Sequence, residues 1–104
     1  MKKSEQIAMN EEVLEAFAHY VTEANKTGLH LVGRLRSCSA QVWETEGYYV
    51  LKSYNTVIAC IDKESMICYD ALRYAYGYTA TSAQHIAKFH NDYNATERKT
   101  YRQV

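Results

Sequence analysis

The sequence has no proline among its 104 residues and only 4 glycines. Chain reversals therefore fall to Gly28, Gly33, Gly47, Gly77 and short polar stretches. There is no excess of charge of either sign: 12 Lys and Arg stand against 12 Asp and Glu, so no bulk field draws the molecule to nucleic acid or to an acidic membrane. A run of about 18 apolar residues is also missing, and MKKSEQIAMNEE turns acidic where a signal peptide becomes apolar. A cytoplasmic protein with no membrane partner is expected. Cysteine is scarce and odd in number, and Cys38, Cys60 and Cys68 form no C-x-x-C pair. They are expected to be reduced thiols, neither a disulfide framework nor a zinc site.

Catalytic motifs are absent as well. No nucleophile elbow, H-E-x-x-H, phosphate loop or dinucleotide fingerprint occurs. His85 and His90 are five apart, about 500° around a helix, which sets them on different faces and does not suit paired metal ligation. A non-enzymatic protein without cofactor or metal is expected.

What the chain does have is apolar content of 47% beside 23% charged residues, which belongs to a folded single domain over 1–104. Tyrosine occurs 10 times, against Phe 2 and Trp 1. Its apolar body and polar tip suit half-buried sheet faces and interfaces equally.

From Ser4 to Thr27 the apolar positions Ile7, Val13, Leu14, Phe17, Val21 and Ala24 keep a helical period, with Glu11, Glu12, Glu15 and Glu23 as an acidic outer face. Lys26 in the last turn and Gly28 after it complete the amphipathic helix assigned to 1–27. A sheet over 29–79 follows. Leu29, Leu31 and Leu35 alternate with His30, Arg34 and Arg36 in a first strand; Ala40 to Glu44 and Tyr48 to Ser53 read as the next two. Ser53 to Ile61 is apolar on both sides, as in a central strand covered on two faces, and Met66 to Tyr69 begins the return strand after a polar Asp62-Lys63-Glu64-Ser65 loop. Beyond it two readings compete. Leu72, Tyr74, Tyr76 and Tyr78 at alternate positions would line one sheet face, whereas Asp70 as N-cap and Gly77 as stop favour a short helix over 70–77.

Thr81 and Gln84 have the spacing of a capping box, which starts a helix near Ser82 and assigns it to 81–94, with Ile86, Phe89, His90 and Tyr93 inward and His85 and Lys88 facing solvent or a partner. Residues 95–104 read as a mildly basic, frayed tail. The expected class is α+β, with an antiparallel sheet of about four or five strands between an N-terminal helix and a C-terminal helix packed on the sheet.

Ser53-Tyr54-Asn55-Thr56-Val57-Ile58-Ala59, followed by Tyr78-Thr79-Ala80-Thr81-Ser82-Ala83-Gln84-His85-Ile86-Ala87-Lys88-Phe89, resembles a family of small proteins encoded by phages, plasmids and other mobile elements of Gram-positive and gut bacteria. The resemblance covers roughly the last half of the chain. The long N-terminal helix and the residues around Asp70-Ala71-Leu72-Arg73 depart from that pattern. The genetic context implied is one in which small non-enzymatic proteins bind and disable a host system from within the host cytoplasm.

Two functions are weighed. The first is an inhibitor of a host protein or nucleoprotein effector, of the anti-defence or anti-CRISPR type, with a partner surface of Arg73, Tyr74, Tyr76, Tyr78, His85 and Lys88, because tyrosine and arginine dominate interface hot spots. The acidic helix face of Glu11, Glu12, Glu15 and Glu23 would meet a basic groove of the target. The alternative is nucleic-acid or nucleotide binding by sheet tyrosines with Arg34, Arg36, Arg73 and the basic tail. Self-association as a homodimer is compatible with either.

Overall fold

The computed structural model describes residues 2–34 and 40–104, so the expectations placed on Leu35, Arg36 and Cys38 lie outside the described residues. Its elements are α1 (Lys3–Thr27), β1 (His30–Arg34), β2 (Ala40–Glu44), β3 (Tyr48–Ser53), β4 (Thr56–Asp62), β5 (Ile67–Asp70), α2 (Leu72–Ala75), α3 (Ala80–Asp92) and β6 (Glu97–Thr100). The strands lie side by side in chain order, the first five as an antiparallel meander and β6 parallel to β5. The class is α+β as expected, but the sheet has six strands and is mixed.

The helices cover opposite faces. Phe17, Tyr20 and Ala24 of α1 pack on Val50, Cys60 and Tyr69, while Leu72, Ile86 and Phe89 pack on Val42, Leu51, Ala59, Ile61 and Cys68. β4 is therefore buried on both sides, which is why its sequence shows no polar face. A bulge shifts the β3–β4 register between Leu51 and Lys52, leaving Ile58 as the extra residue. Two successive side chains, Ile58 and Ala59, consequently join the α3 cluster, and Val57 turns to the α1 side. Simple alternation assigns Ile58 to the wrong face for this reason. The hairpin before β4 also has no glycine to announce it: Tyr54 adopts φ 56° at the turn between β3 and β4.

On α1 the inward face is rotated from the expected one. Gln6, Asn10, Val13 and Tyr20 are buried, whereas Ile7 and Val21 are 42% and 51% exposed. The reason lies at the other end of the chain. Residues 95–104 are not a frayed tail, because Glu97–Thr100 forms β6 and Tyr101 N–H continues the pairing by donating to the Asp70 carbonyl at 2.8 Å. The free edge beyond β6 is met by carboxamides of α1. Asn10 donates to the Arg102 carbonyl at 2.7 Å and accepts from the Arg102 N–H at 3.0 Å, and Gln6 donates to the Thr100 carbonyl at 3.0 Å. Side chains thus satisfy backbone groups that a seventh strand would otherwise take.

α3 begins earlier than the capping-box reading places it. Thr79, not Thr81, is the N-cap and accepts from Ser82 N–H at 3.1 Å. This start puts Ser82, His85, Ile86 and Phe89 inward.

Candidate functional site

The segment between β5 and α3 is a one-turn helix, α2, rather than a strand carrying a row of tyrosines. Local hydrogen bonds explain it. Ala71 N–H donates to the Ile58 carbonyl at 2.9 Å, which ties the end of β5 to β4, and Asp70 Oδ1 accepts from Leu72 N–H at 3.0 Å, which turns the chain out of the sheet. Leu72 then inserts into the core as an anchor. Gly77, at φ 99°, closes the turn by donating to the Leu72 carbonyl at 2.9 Å. With Leu72 facing in, the residues around it face out: Tyr74, Tyr76 and Tyr78 are 61%, 47% and 59% exposed.

These side chains form a corner with two residues of the C-terminal strand region. The Arg73 guanidinium lies over the Tyr78 ring at 4.5 Å, and the Tyr74 and Tyr101 rings meet edge to face at 5.2 Å. A cavity of about 240 Å³ opens between Asp70, Leu72, Arg73, Tyr78, Ala83, Thr100 and Arg102. Burial raises the Asp70 carboxyl above its ordinary pKa, against the pull of the Leu72 N–H and of Arg98, Arg73 and Arg102. Tyr101 and Arg102 were not legible as part of this corner, because nothing in NATERKTYRQV has the period of a strand.

His85 does not belong to the corner. It is buried on the inward side of α3, its Nδ1 has no hydrogen-bond partner among the described residues, and burial lowers its pKa. Lys88 lies farther along α3, paired with Asp92 at 3.0 Å beside a separate cleft. Of the six residues expected to share a surface, Arg73, Tyr74, Tyr76 and Tyr78 lie together, with Tyr101 and Arg102 beside them, whereas His85 and Lys88 lie apart on α3.

The acidic face divides as well. Glu12 and Glu15 border a cleft with His19, Tyr48, Asp62 and Tyr69 at the edge of α1, and Glu23 borders the adjoining one. Glu12 pairs with Lys99, and Glu15 lies 3.8 Å from His19. Glu23 packs so closely on the β2–β3 turn that a Cβ on Gly47 would stand 2.7 Å from its Oε2. Burial first, then Asp62, Cys60 and Glu23, push the Tyr48 phenol up to about 12. Glu11 is exposed and outside both clefts.

The arginines named for nucleic-acid binding are dispersed. Arg34 is on β1 and Arg98 on β6, at opposite edges of the sheet. Cys60 and Cys68 are free, buried and on opposite faces; burial pushes the Cys60 thiol well up and the Cys68 thiol to about 12. Among the described residues no group of three His, Cys, Asp or Glu side chains is placed to hold a metal ion, and no helix is long and apolar enough to cross a membrane.

These features define a small three-layer α+β protein with an aromatic and cationic corner built on a single helical turn. Residues 33–104, all but α1 and the start of β1, match the family of unknown function DUF8033, and the chain belongs to that family. No curated protein and no solved structure matches it.

Proposed function

We propose that this chain is a non-enzymatic binding protein that docks on a host protein or nucleoprotein effector through the tyrosine corner and inhibits it, as an anti-defence protein of the anti-CRISPR type. The observation that carries the reading is the exposure of Tyr74, Tyr76 and Tyr78 around an anchored Leu72. Large aromatic side chains are normally drawn into a core, and rings presented with a stacked arginine on a fixed turn have the composition of a hot spot with little ordering entropy left to lose. The phage and mobile-element context rests on the resemblance of the SYNT strand and the helix start.

The experiment is capture from host lysate on the immobilised chain, with and without nuclease, beside a Tyr76→Ala variant. A protein retained in both lysates and lost on the variant supports docking. Retention of nucleic acid alone, or of nothing, would overturn it.

A further inference from the structure

The corner also contains a cavity, which shares Arg73, Tyr78 and Arg102 with the docking surface. The cavity between α2, the start of α3 and the end of β6 has Arg73 and Arg102 on its walls, Thr100 and Tyr78 beside them and Leu72 beneath. Among the described residues neither guanidinium is in a salt bridge with a carboxylate, although Asp70 lines the same cavity and hydrogen-bonds to the Leu72 N–H. Two arginines against one aspartate leave the cavity with a positive balance, in a chain that is neutral overall.

β5 and β6 are the parallel pair, joined by a crossover through α2 and α3, and the cavity lies where β5 and β6 end and near where α3 begins. Open α/β sheets bind ligands in a crevice outside the carboxyl ends of their strands where strand order reverses; this sheet keeps one order throughout, so the cavity shares with those sites only its place at the ends of two parallel strands. The volume of about 240 Å³ is that of roughly eight waters, enough for a phosphate and its sugar but too small for a base as well. Tyr78 is 59% exposed and carries the Arg73 guanidinium over one face of its ring, so a base would lie on the other face.

We propose that this cavity is the phosphate subsite for a nucleoside monophosphate, gripped by Arg73 and Arg102 with its base against Tyr78. The two readings share Arg73, Tyr78 and Arg102, but nucleotide binding is measured on the chain alone and partner binding by capture, so the failure of one is distinguishable from the failure of the other.

The test is calorimetric titration of the full chain with 5′-AMP, 5′-GMP and 5′-UMP, with adenosine and inorganic phosphate as fragments. Nucleotides are expected to bind about tenfold or more tighter than either fragment. Arg73→Gln and Arg102→Gln should each weaken nucleotide binding by about tenfold or more, the loss expected for one charge-assisted group. Arg34→Gln, on the far edge of the sheet, should leave it unchanged. Amide chemical shifts of the unmodified chain, followed during AMP addition, should move at 70–83 and 100–102, which keeps the test valid if a variant fails to fold. The proposal is overturned if no nucleotide binds at millimolar concentration, if phosphate binds as well as AMP, if both arginine variants bind normally, or if only oligonucleotides or acidic peptides bind.

Discussion

Individual side chains decide most of what is testable here. Phe89 is fully buried between α3 and the sheet, so Phe89→Ala should cost about 3 to 5 kcal/mol, and a thermal melt unmoved by the substitution would show that the face is not core. His85 gives a pH dependence of defined sign. Burial lowers its pKa in the fold, so the unfolded chain takes up the proton first. Stability from this group is complete above the ordinary value near 6.5 and is lost as the pH falls below it. His90 is shifted in the same direction, by burial first and then by Arg98. The melting temperature should therefore fall as the pH drops below about 6.5, and His85→Gln should flatten part of that fall; an unaltered profile would remove the assignment. At the exposed corner the prediction is reversed. At least one of Arg73→Ala, Tyr74→Ala and Tyr76→Ala should weaken partner binding by about 2 kcal/mol or more, with little change in melting temperature, as calorimetry against the captured protein would measure.

Elements were legible in proportion to how far local pattern governs them. α1, β2 and β3 lie where local pattern puts them, because a helical period in the first and short apolar runs between turns in the others are set by neighbouring residues. The face of α1 did not, since Gln6 and Asn10 are inward for the sake of backbone groups more than ninety residues away. Hydropathy has no term for a carboxamide standing in for a strand. The same gap hid β6, a hydrophilic edge strand, and with it the contribution of Tyr101 and Arg102 to the corner. Arg73 and its neighbouring tyrosines were visible from residue type alone, while α2 depended on the choice of Asp70 to bond locally. Removing the α1 carboxamides tests this account. Asn10→Ala should destabilise by about 1 to 2 kcal/mol, from two lost side-chain bonds to partly buried backbone, and should speed hydrogen exchange at the Arg102 amide. Exchange as slow as before would mean that the edge is protected by something else.

For the molecule as a whole, Cys60 and Cys68, both buried, report on global integrity. They lie in separate clusters on the two faces of one sheet, and both thiols are held protonated by burial. A thiol reagent should modify both only as fast as the chain unfolds globally, with the same denaturant dependence for each. Modification of one ahead of the other would show that α1 or α3 lifts off the sheet independently.

The bond between Asn10 and Arg102 carries a consequence for synthesis. On the ribosome Asn10 is synthesised 92 residues before its partner, a wait of roughly 5 to 20 s at ordinary rates of elongation. β1 to β5 pair with near neighbours and can assemble during that interval, but α1 has to remain unsecured at its first turns until the final strand clears the exit tunnel. A nascent chain stalled before Thr100 should therefore present an open sheet edge to chaperones.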